Sequence, residues 1–214
     1  MEKNAKKNPK RDEEVVAKTR KSIRNKIKRR SQEIHRGDLR ILIIDECHLR
    51  WGDVCGYVWG QKSHAISIPI INEKTRQTYY GALDCTTRTF QLQAYPAGES
   101  DSTIKFIKHL RSLYPNRQLM LIWDGASYHY STQVKQYLAK LNKGLRRVTD
   151  WKVRCLRLAP HAPDQNPVED IWLQGKNFLR RHFYLNKTFA QVKKSFVDFL
   201  ANRTFDFDKI AIYY

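Results

Sequence analysis

Two runs of apolar residues, each followed by an aspartate, stand out along the chain. Residues 41–44 are apolar without a break and lead into Asp45 and Glu46, and residues 119–123 lead into Asp124. Short apolar runs bounded by polar segments are typical of strands buried on both faces of a sheet. Because carboxylates are rarely placed at the ends of such strands without partners, we expect both aspartates at one shared edge of a sheet.

Short segments rich in β-branched and aromatic residues follow the first strand. They cover residues 57–59, 65–71, 78–83 and 89–95 and are separated by polar breaks. Consecutive short strands of this kind predict an antiparallel meander. A last strand is predicted at residues 153–158.

The apolar period then changes to that of helices. Ser100 or Ser102 can cap the first of these helices, and Asn166 followed by Pro167 is a typical start for a later one. The predicted helices span residues 100–114, 131–142, 167–183 and 189–202. The order of elements predicts an α/β domain with a mixed sheet flanked by helices, in which strands one and four carry the acids.

The first 37 residues form a basic extension ahead of the domain at residues 38–214. Residues 1–14 contain almost no apolar side chains and are predicted to be disordered. A helix is predicted at residues 15–34, ended by Gly37. Its apolar face consists of Val16, Ile23, Ile27 and Ile34. The basic faces suit either contact with DNA or a partner subunit, or a solvated connecting helix.

Charge points to a polyanionic partner. The 214 residues carry a formal net charge of +19 and a pI near 9.9. Charge of this size favours nucleic acid as the partner, although a basic protein can also be merely soluble.

Composition also narrows the compartment. No run approaches the ~18 apolar residues of a membrane span, and no signal peptide opens the chain, so we expect a soluble intracellular protein without a membrane partner. The four cysteines have no CxxC spacing, which argues against a zinc site or a disulfide framework and fits a reducing compartment.

Three acids on separate elements form the candidate chemistry. Asp45 and Asp124 follow the two buried runs, and Glu169 opens the predicted helix at Pro167. Phosphodiester chemistry uses two divalent ions about 3.5–4 Å apart, and Mg²⁺ needs only a few carboxylates besides water and phosphate oxygens. We therefore predict that these three acids hold the metal ions.

Each acid also has a structural interpretation. Asp45 can cap a turn, and Asp124 with Gly125 is ordinary turn chemistry. Glu169 is the third residue after the Asn166 N-cap, where it can form a capping box. Taken together, and on a basic background, the acids favour the metal site.

Three motifs resemble the catalytic domain of mariner-type transposases. They are residues 43–46 (IIDE), 122–129 (IWDGASYH) and 163–172 (PDQNPVEDIW), and the last is the most specific. The resemblance covers residues 38–185 and is strongest to the bacterial insertion-sequence branch. It implies a ribonuclease H-like fold with a catalytic DDE triad at Asp45, Asp124 and Glu169.

The resemblance also implies an activity. A DDE enzyme of this kind uses Mg²⁺ or Mn²⁺, with two ions, for DNA cleavage and strand transfer in cut-and-paste transposition. A non-catalytic, DNA-binding remnant of a transposase is the main alternative, and a nuclease for RNA–DNA hybrids is another.

The chain departs from the family pattern in three places. Asp124 and Glu169 are separated by 44 residues, more than the family usually has, and we place the excess near residues 141–151. Asp170 adjoins Glu169, but a one-residue step turns a helical side chain by ~100° away, so we assign Glu169 to the triad. Ser63 stands where the family usually has glycine.

Basic and histidine side chains near the motifs complete the candidate site. Lys176, Arg180, Arg146 and Arg147 are the predicted DNA contacts. His129 and His161 are possible accessory residues that orient a phosphate or water, with a structural role as the alternative for each.

The expected partners follow from the resemblance. They are the transposon ends and target DNA, a second copy of the chain in a homodimer, and a separate N-terminal recognition part, because one basic helix does not supply the family's helix-turn-helix region. We expect a bacterial cytoplasmic, nucleoid-associated protein.

Overall fold

A computed structural model describes residues 9–55, 61, 75–201 and 203–213. The strands predicted at residues 57–59 and 65–71, and the loop containing Ser63, lie outside the described residues. None of the helices described is both long enough and apolar enough to cross a lipid bilayer.

One mixed sheet organises the domain, as predicted. Its strands are β1 (Leu39–Arg50), β2 (Arg76–Asp84), β3 (Phe90–Tyr95), β4 (Gln118–Trp123) and β5 (Val153–Arg157). Their order across the sheet is β3-β2-β1-β4-β5. The first three strands form the predicted antiparallel meander, while β4 and β5 run parallel to β1.

Strand β1 is longer than its apolar run and does not end at the first acid. It pairs with β4 only as far as Ile43 but remains paired with β2 as far as Arg50. Asp45 therefore lies inside β1, at the point where β1 loses its β4 neighbour. The predicted strand end is wrong, although the predicted opening at one sheet edge is present on the β4 side.

Helices cover both faces of the sheet. They are α1 (Glu13–Lys28), α2 (Ser31–His35), α3 (Ser100–Leu113), α4 (Thr132–Leu141), α5 (Pro167–Arg181) and α6 (Phe189–Leu200). One core contains residues of α3 and α4, and the other contains residues of α1, α2, α5 and α6. Burial on both faces explains the continuous apolar runs of β1 and β4.

Capping residues set the helix starts that matter for the site. The Asn166 side chain accepts from the Val168 N–H at 3.1 Å, as predicted for the N-cap of α5. Ser131 caps α4 in the same way. The predicted serine cap of α3 is wrong, because Ser100 is already helical and Glu99 is the N-cap, without a side-chain hydrogen bond.

Contacts with the rest of the domain hold the N-terminal residues 9–14 in place. Asp12 caps α1 by accepting from the Glu14 N–H at 2.9 Å, and Arg11 pairs with Asp164. The predicted disorder of residues 1–14 is therefore wrong for residues 9–14, while residues 1–8 lie outside the described part. Asp164, which is 153 residues from Arg11 in sequence, thus holds a segment whose own composition favours disorder.

The predicted helix at residues 15–34 is divided into α1 and α2, and Gly37 ends the second with a φ of +76°. All four apolar positions of its stripe are buried: Val16, Ile23, Ile27 and Ile34. A fully solvated connecting helix is therefore wrong. The exposed basic faces of α1 remain available for another contact.

Candidate active site

The two aspartates lie side by side. Ile43 of β1 is opposite Ile122 of β4 in parallel register, so Asp45 and Asp124, two residues further along, are at the same level. Side chains of a strand alternate between the two faces of the sheet, and by this alternation both aspartates are on the face that packs against α5. The first turn of α5 contains Glu169. The three acids line one cleft of about 450 Å³ together with residues 157–163.

Asp45 is the buried member of this group, with 8% of its surface exposed. The Trp172 indole N–H donates to Asp45 Oδ2 at 3.0 Å. The indole approaches the sheet because Gly81 is opposite Asp45 on β2, and a Cβ at Gly81 would lie 2.6 Å from the Trp172 ring. The absence of a side chain at Gly81 therefore lets Trp172 reach Asp45 and hold its carboxylate by a hydrogen bond.

The pKa of the Asp45 carboxyl is raised well above its ordinary value. Burial is the largest cause, followed by the negative charges of Glu169, Glu46 and Asp124. Burial also raises the pKa of Glu169, and Lys176 and Lys209 oppose that rise. A bound divalent cation would relieve the repulsion between these crowded carboxylates, which raised pKa values reflect.

The structure separates Glu169 from its neighbour. The Asn166 N–H donates to Pro163 O at 2.9 Å, so the capping-box alternative for Glu169 is wrong. Glu169 is exposed to the cleft, while Asp170 forms a 2.7 Å ion pair with Lys209. The geometry therefore agrees with Glu169, and not Asp170, as the third acid.

A second group of side chains lies behind Asp124. Glu46 accepts from the Tyr128 hydroxyl at 3.1 Å and pairs with His129 Nε2 at 2.9 Å. His129 is buried, stacks on Trp123 at 4.4 Å, and places Nδ1 3.3 Å from Asp124 Oδ1. The last contact lacks hydrogen-bond geometry and is an ion-pair contact. We call Glu46, Tyr128 and His129 the histidine network.

Charge holds the histidine network together. Burial opposes protonation of His129, but Asp124 and Glu46 outweigh it and raise the His129 pKa to about 9. The Asp124 pKa is lowered, because contacts with His129 and the Ala126 N–H outweigh its burial. Asp124 therefore stays ionised, and His129 supports an acid of the cleft from behind.

Two sets of donors fit a metal to different degrees. Within the part of the chain that the structure describes, the one group of three acidic, histidine or cysteine ligand atoms that all lie within 4.8 Å is Glu46, Asp124 and His129. Both Glu46 oxygens are already engaged by the histidine network. Asp45, Asp124 and Glu169 are more widely spaced, offer oxygens only, and face open space, which suits a hard cation that keeps water and phosphate ligands.

The cleft wall contains one predicted accessory residue and one that sequence reasoning missed. His161 lines the cleft with a φ of +55°, a conformation that is uncommon for a non-glycine residue. Arg157, the last residue of β5, lines it as well. The available signal for Arg157 was its position: a basic residue closing a strand parallel to the two that carry the aspartates.

The predicted DNA contacts are distributed over different regions. Lys176 is on α5, near enough to Glu169 to oppose the rise of the Glu169 pKa that burial causes. Arg180, one turn further along, donates to Asn177 at 3.0 Å. Arg146 and Arg147 are exposed in the turn before β5. Since β5 is parallel to β4, the turn that precedes β5 lies at the end of the strands opposite the acids.

Comparisons with known proteins agree with this geometry. A family model described as "DDE superfamily endonuclease" matches residues 40–190. No curated protein matches the sequence.

Solved structures extend the likeness to the whole chain. Mos1 transposase in its paired-end complex with the left transposon end has a TM-score of 0.61 at 14% identity, over 100% of this chain and 61% of that one. The catalytic domain of Mos1 mariner transposase has a TM-score of 0.55 at 11% identity, over 98% and 89%. This chain thus spans about 61% of the length of the Mos1 chain in that complex, and its fold is ribonuclease H-like, as predicted.

Proposed function

Because the chain belongs to the DDE superfamily endonucleases, we propose that it is the catalytic part of a cut-and-paste DNA transposase. The observation that carries the proposal is the cleft in which Asp45, Asp124 and Glu169 converge from two parallel strands and a helix. The net charge of +19 on the chain suits a DNA substrate.

In this proposal the three acids hold two Mg²⁺ or Mn²⁺ ions. Their donors are all carboxylate oxygens, which these hard ions prefer. When bound, the ions supply activation of an attacking oxygen and stabilisation of the leaving oxygen in an in-line displacement. Solved Mos1 complexes with Mg and with Mn are among the similar structures, at 15% and 13% identity.

The chain's own residues prepare the cleft for this chemistry. Trp172 holds one Asp45 oxygen, and no other residue in the described part of the chain donates a hydrogen bond to Asp45. His129 keeps Asp124 ionised and therefore ready to bind a cation. The chain itself makes both contacts, and such preorganisation avoids reorganisation costs during the reaction.

The finer assignments belong to the same proposal. The substrates would be transposon ends and target DNA, and the active form a homodimer assisted by a separate N-terminal recognition part. We place the chain in the bacterial insertion-sequence branch, in the nucleoid-containing cytoplasm. Residues 1–37 would be an extension of the catalytic domain at residues 38–214. The support is the sequence motifs and the likeness to Mos1 transposase in its paired-end complex with a transposon end.

Nicking of supercoiled DNA by the purified chain with Mg²⁺ or Mn²⁺ tests the proposal. We expect cleavage by the parent, loss of cleavage in Asp124→Asn and Glu169→Gln, and retained cleavage in Asp170→Asn. The last variant is a matched control, because Asp170 is ion-paired with Lys209 and does not line the cleft.

A parent that binds DNA in a salt-sensitive manner but cleaves with neither metal would contradict the proposal. That result would favour the non-catalytic remnant instead. Equal cleavage by the parent and the Asp124 variant would place the nuclease centre elsewhere.

A further inference from the structure

Arg157 occupies a position shared by two surfaces. It lines the acidic cleft, and it also closes a shallow groove whose other wall is the face of α1 containing Lys18, Ser22 and Lys26. Its side chain is exposed, and within the described ranges no carboxylate forms an ion pair with it. The groove and the cleft therefore meet at the Arg157 guanidinium, a positive charge without an ion-pair partner among the described residues.

Neighbouring residues fix the orientation of the Arg157 side chain. The guanidinium lies over the Tyr130 ring, 5.2 Å from its centre. Gly125 makes room for it, since a Cβ there would lie 2.8 Å from Arg157 Nε. Stacking and close packing reduce the freedom that a long side chain loses on binding.

The charge of Arg157 reaches the acids of the cleft. Burial raises the Asp124 pKa, and Arg157 is among the causes that lower it, after the contacts with His129 and Ala126. A guanidinium beside carboxylates, but paired with none of them, can still donate its N–H groups. A phosphate matches it, because two phosphate oxygens accept the parallel N–H groups of one arginine.

The groove leading away from Arg157 is basic. Helix α1 holds six Lys and Arg residues against two Glu. Lys18 is paired with Glu14 at 2.6 Å, whereas Lys26 donates to the Ser22 hydroxyl at 2.8 Å. Lys26 therefore keeps its charge available at the groove, and α1 is held in place by its buried stripe.

We propose that Arg157 is a phosphate-binding residue, and that with Lys26 it leads the backbone of a DNA strand from the face of α1 into the acidic cleft. The proposal rests on the proposed function in taking DNA as the substrate. It assigns α1 to DNA contact and adds a phosphate site that lies beside the acids.

Salt dependence of DNA binding, measured in EDTA by fluorescence anisotropy with a short duplex, tests Arg157 without requiring cleavage. Each lost phosphate contact lowers the slope of log affinity against log salt by ~0.9. We expect Arg157→Gln to lower the slope by about this amount and to weaken binding up to about tenfold near 0.1 M salt. Arg157→Lys should keep the slope, because it keeps the charge, but bind less tightly than the parent.

Lys152→Gln is the matched control, since it removes one exposed positive charge just before β5, at the opposite end of the strand that Arg157 closes. We expect it to keep the parent's slope. A parental slope in Arg157→Gln, or equal losses in Arg157→Gln and Lys152→Gln, would overturn the proposal. Lys26→Gln should lose a similar increment, and a parental slope there would overturn the path along α1.

The two proposals fail separately. If the parent does not nick DNA, the binding slopes still decide the role of Arg157. If it does, Arg157→Gln should raise KM more than it lowers kcat, whereas the triad variants lose kcat.

Discussion

Asp45 and Glu46 are consecutive carboxylates on one strand, yet their surroundings are opposite. Within the described ranges Asp45 accepts one hydrogen bond, from Trp172, and it faces a cleft shared with two other acids. Glu46 has both oxygens engaged by Tyr128 and His129, and its side chain is 5% exposed. The comparison teaches that the incompletely satisfied acid is the one prepared for a ligand, and the satisfied acid supports it.

A one-residue step on a strand produces this difference. Successive side chains of β1 point to opposite faces of the sheet, so Asp45 faces α5 and Glu46 faces the side of α3 and α4. Asp124 connects the two surroundings, because it lines the cleft and also contacts His129. Four predictions separate the two roles, in decreasing order of expected effect.

Asp45→Asn should give the largest loss of activity. In the proposed function Asp45 binds a metal ion, and removing such a carboxylate costs several kcal/mol of transition-state stabilisation, or about 10³-fold in nicking rate. Stability should move the other way. The folded-state pKa of Asp45 is raised, so its ionisation destabilises the folded protein as pH rises above the unfolded value of about 4.

Metal-free Asp45→Asn should therefore unfold with a higher free energy than the parent at pH 7, and this advantage should shrink as pH falls toward 4. Urea titrations at both pH values measure it. A variant less stable than the parent at pH 7 would contradict the electrostatic picture of the cleft.

Glu46→Gln should reduce nicking by about tenfold, the lower end of the range for residues that orient a metal ligand. Glu46 is one of the charges that raise the His129 pKa to about 9, so this pKa should fall in Glu46→Gln, and an NMR titration of the metal-free protein measures it. In the parent, the stabilisation from His129 is complete below about pH 6.5 and is lost as pH rises through about 9. An unchanged His129 pKa would refute the network.

Trp172→Phe should destabilise the protein by about 1–3 kcal/mol, because Asp45 loses its donor while remaining buried. Nicking should also fall. Trp151→Phe is the matched control: its indole N–H donates to Leu145 O at 3.2 Å, in the turn at the opposite sheet edge. Equal losses of nicking in both variants would mean that the Trp172 contact is not specific to the cleft.

Asp164→Asn should have the smallest effect, at most about 1 kcal/mol, because Asp164 is 45% exposed and solvent screens its pair with Arg11. Differential scanning fluorimetry at low and high salt should show the loss mainly at low salt. A loss larger than that of Trp172→Phe would show that the N-terminal tether, rather than the sheet, dominates the stability of the cleft wall.

The local signals in the sequence predicted much of the frame. The apolar runs before Asp45 and Asp124 predicted adjacent buried strands, and Asn166 followed by Pro167 predicted the start of α5. These features depend on neighbouring residues, as periodicity and capping do. The resemblance then singled out Glu169, and the structure brings it to the same cleft.

The partners of the site could not be predicted in this way. Neither the bond of Trp172 to Asp45 nor the pairing of Glu46 with His129 has a local signal in the sequence. The order of residues 9–14 depends on the ion pair with Asp164. The role proposed for Arg157 depends on its contact with Tyr130 and on its position beside α1. Each of these contacts joins segments that are distant in sequence.

The turn before α5 is secured from both extremes of the described chain. The Gln165 side chain donates to Val16 O at 3.3 Å, and the Tyr213 hydroxyl donates to Gln165 O at 2.7 Å. Contacts this distant in sequence close late in folding, because the intervening chain must first lose its entropy. In a refolding experiment we expect helical circular dichroism to recover before nicking does, so that the chain acquires its structure first and its capacity to cut last.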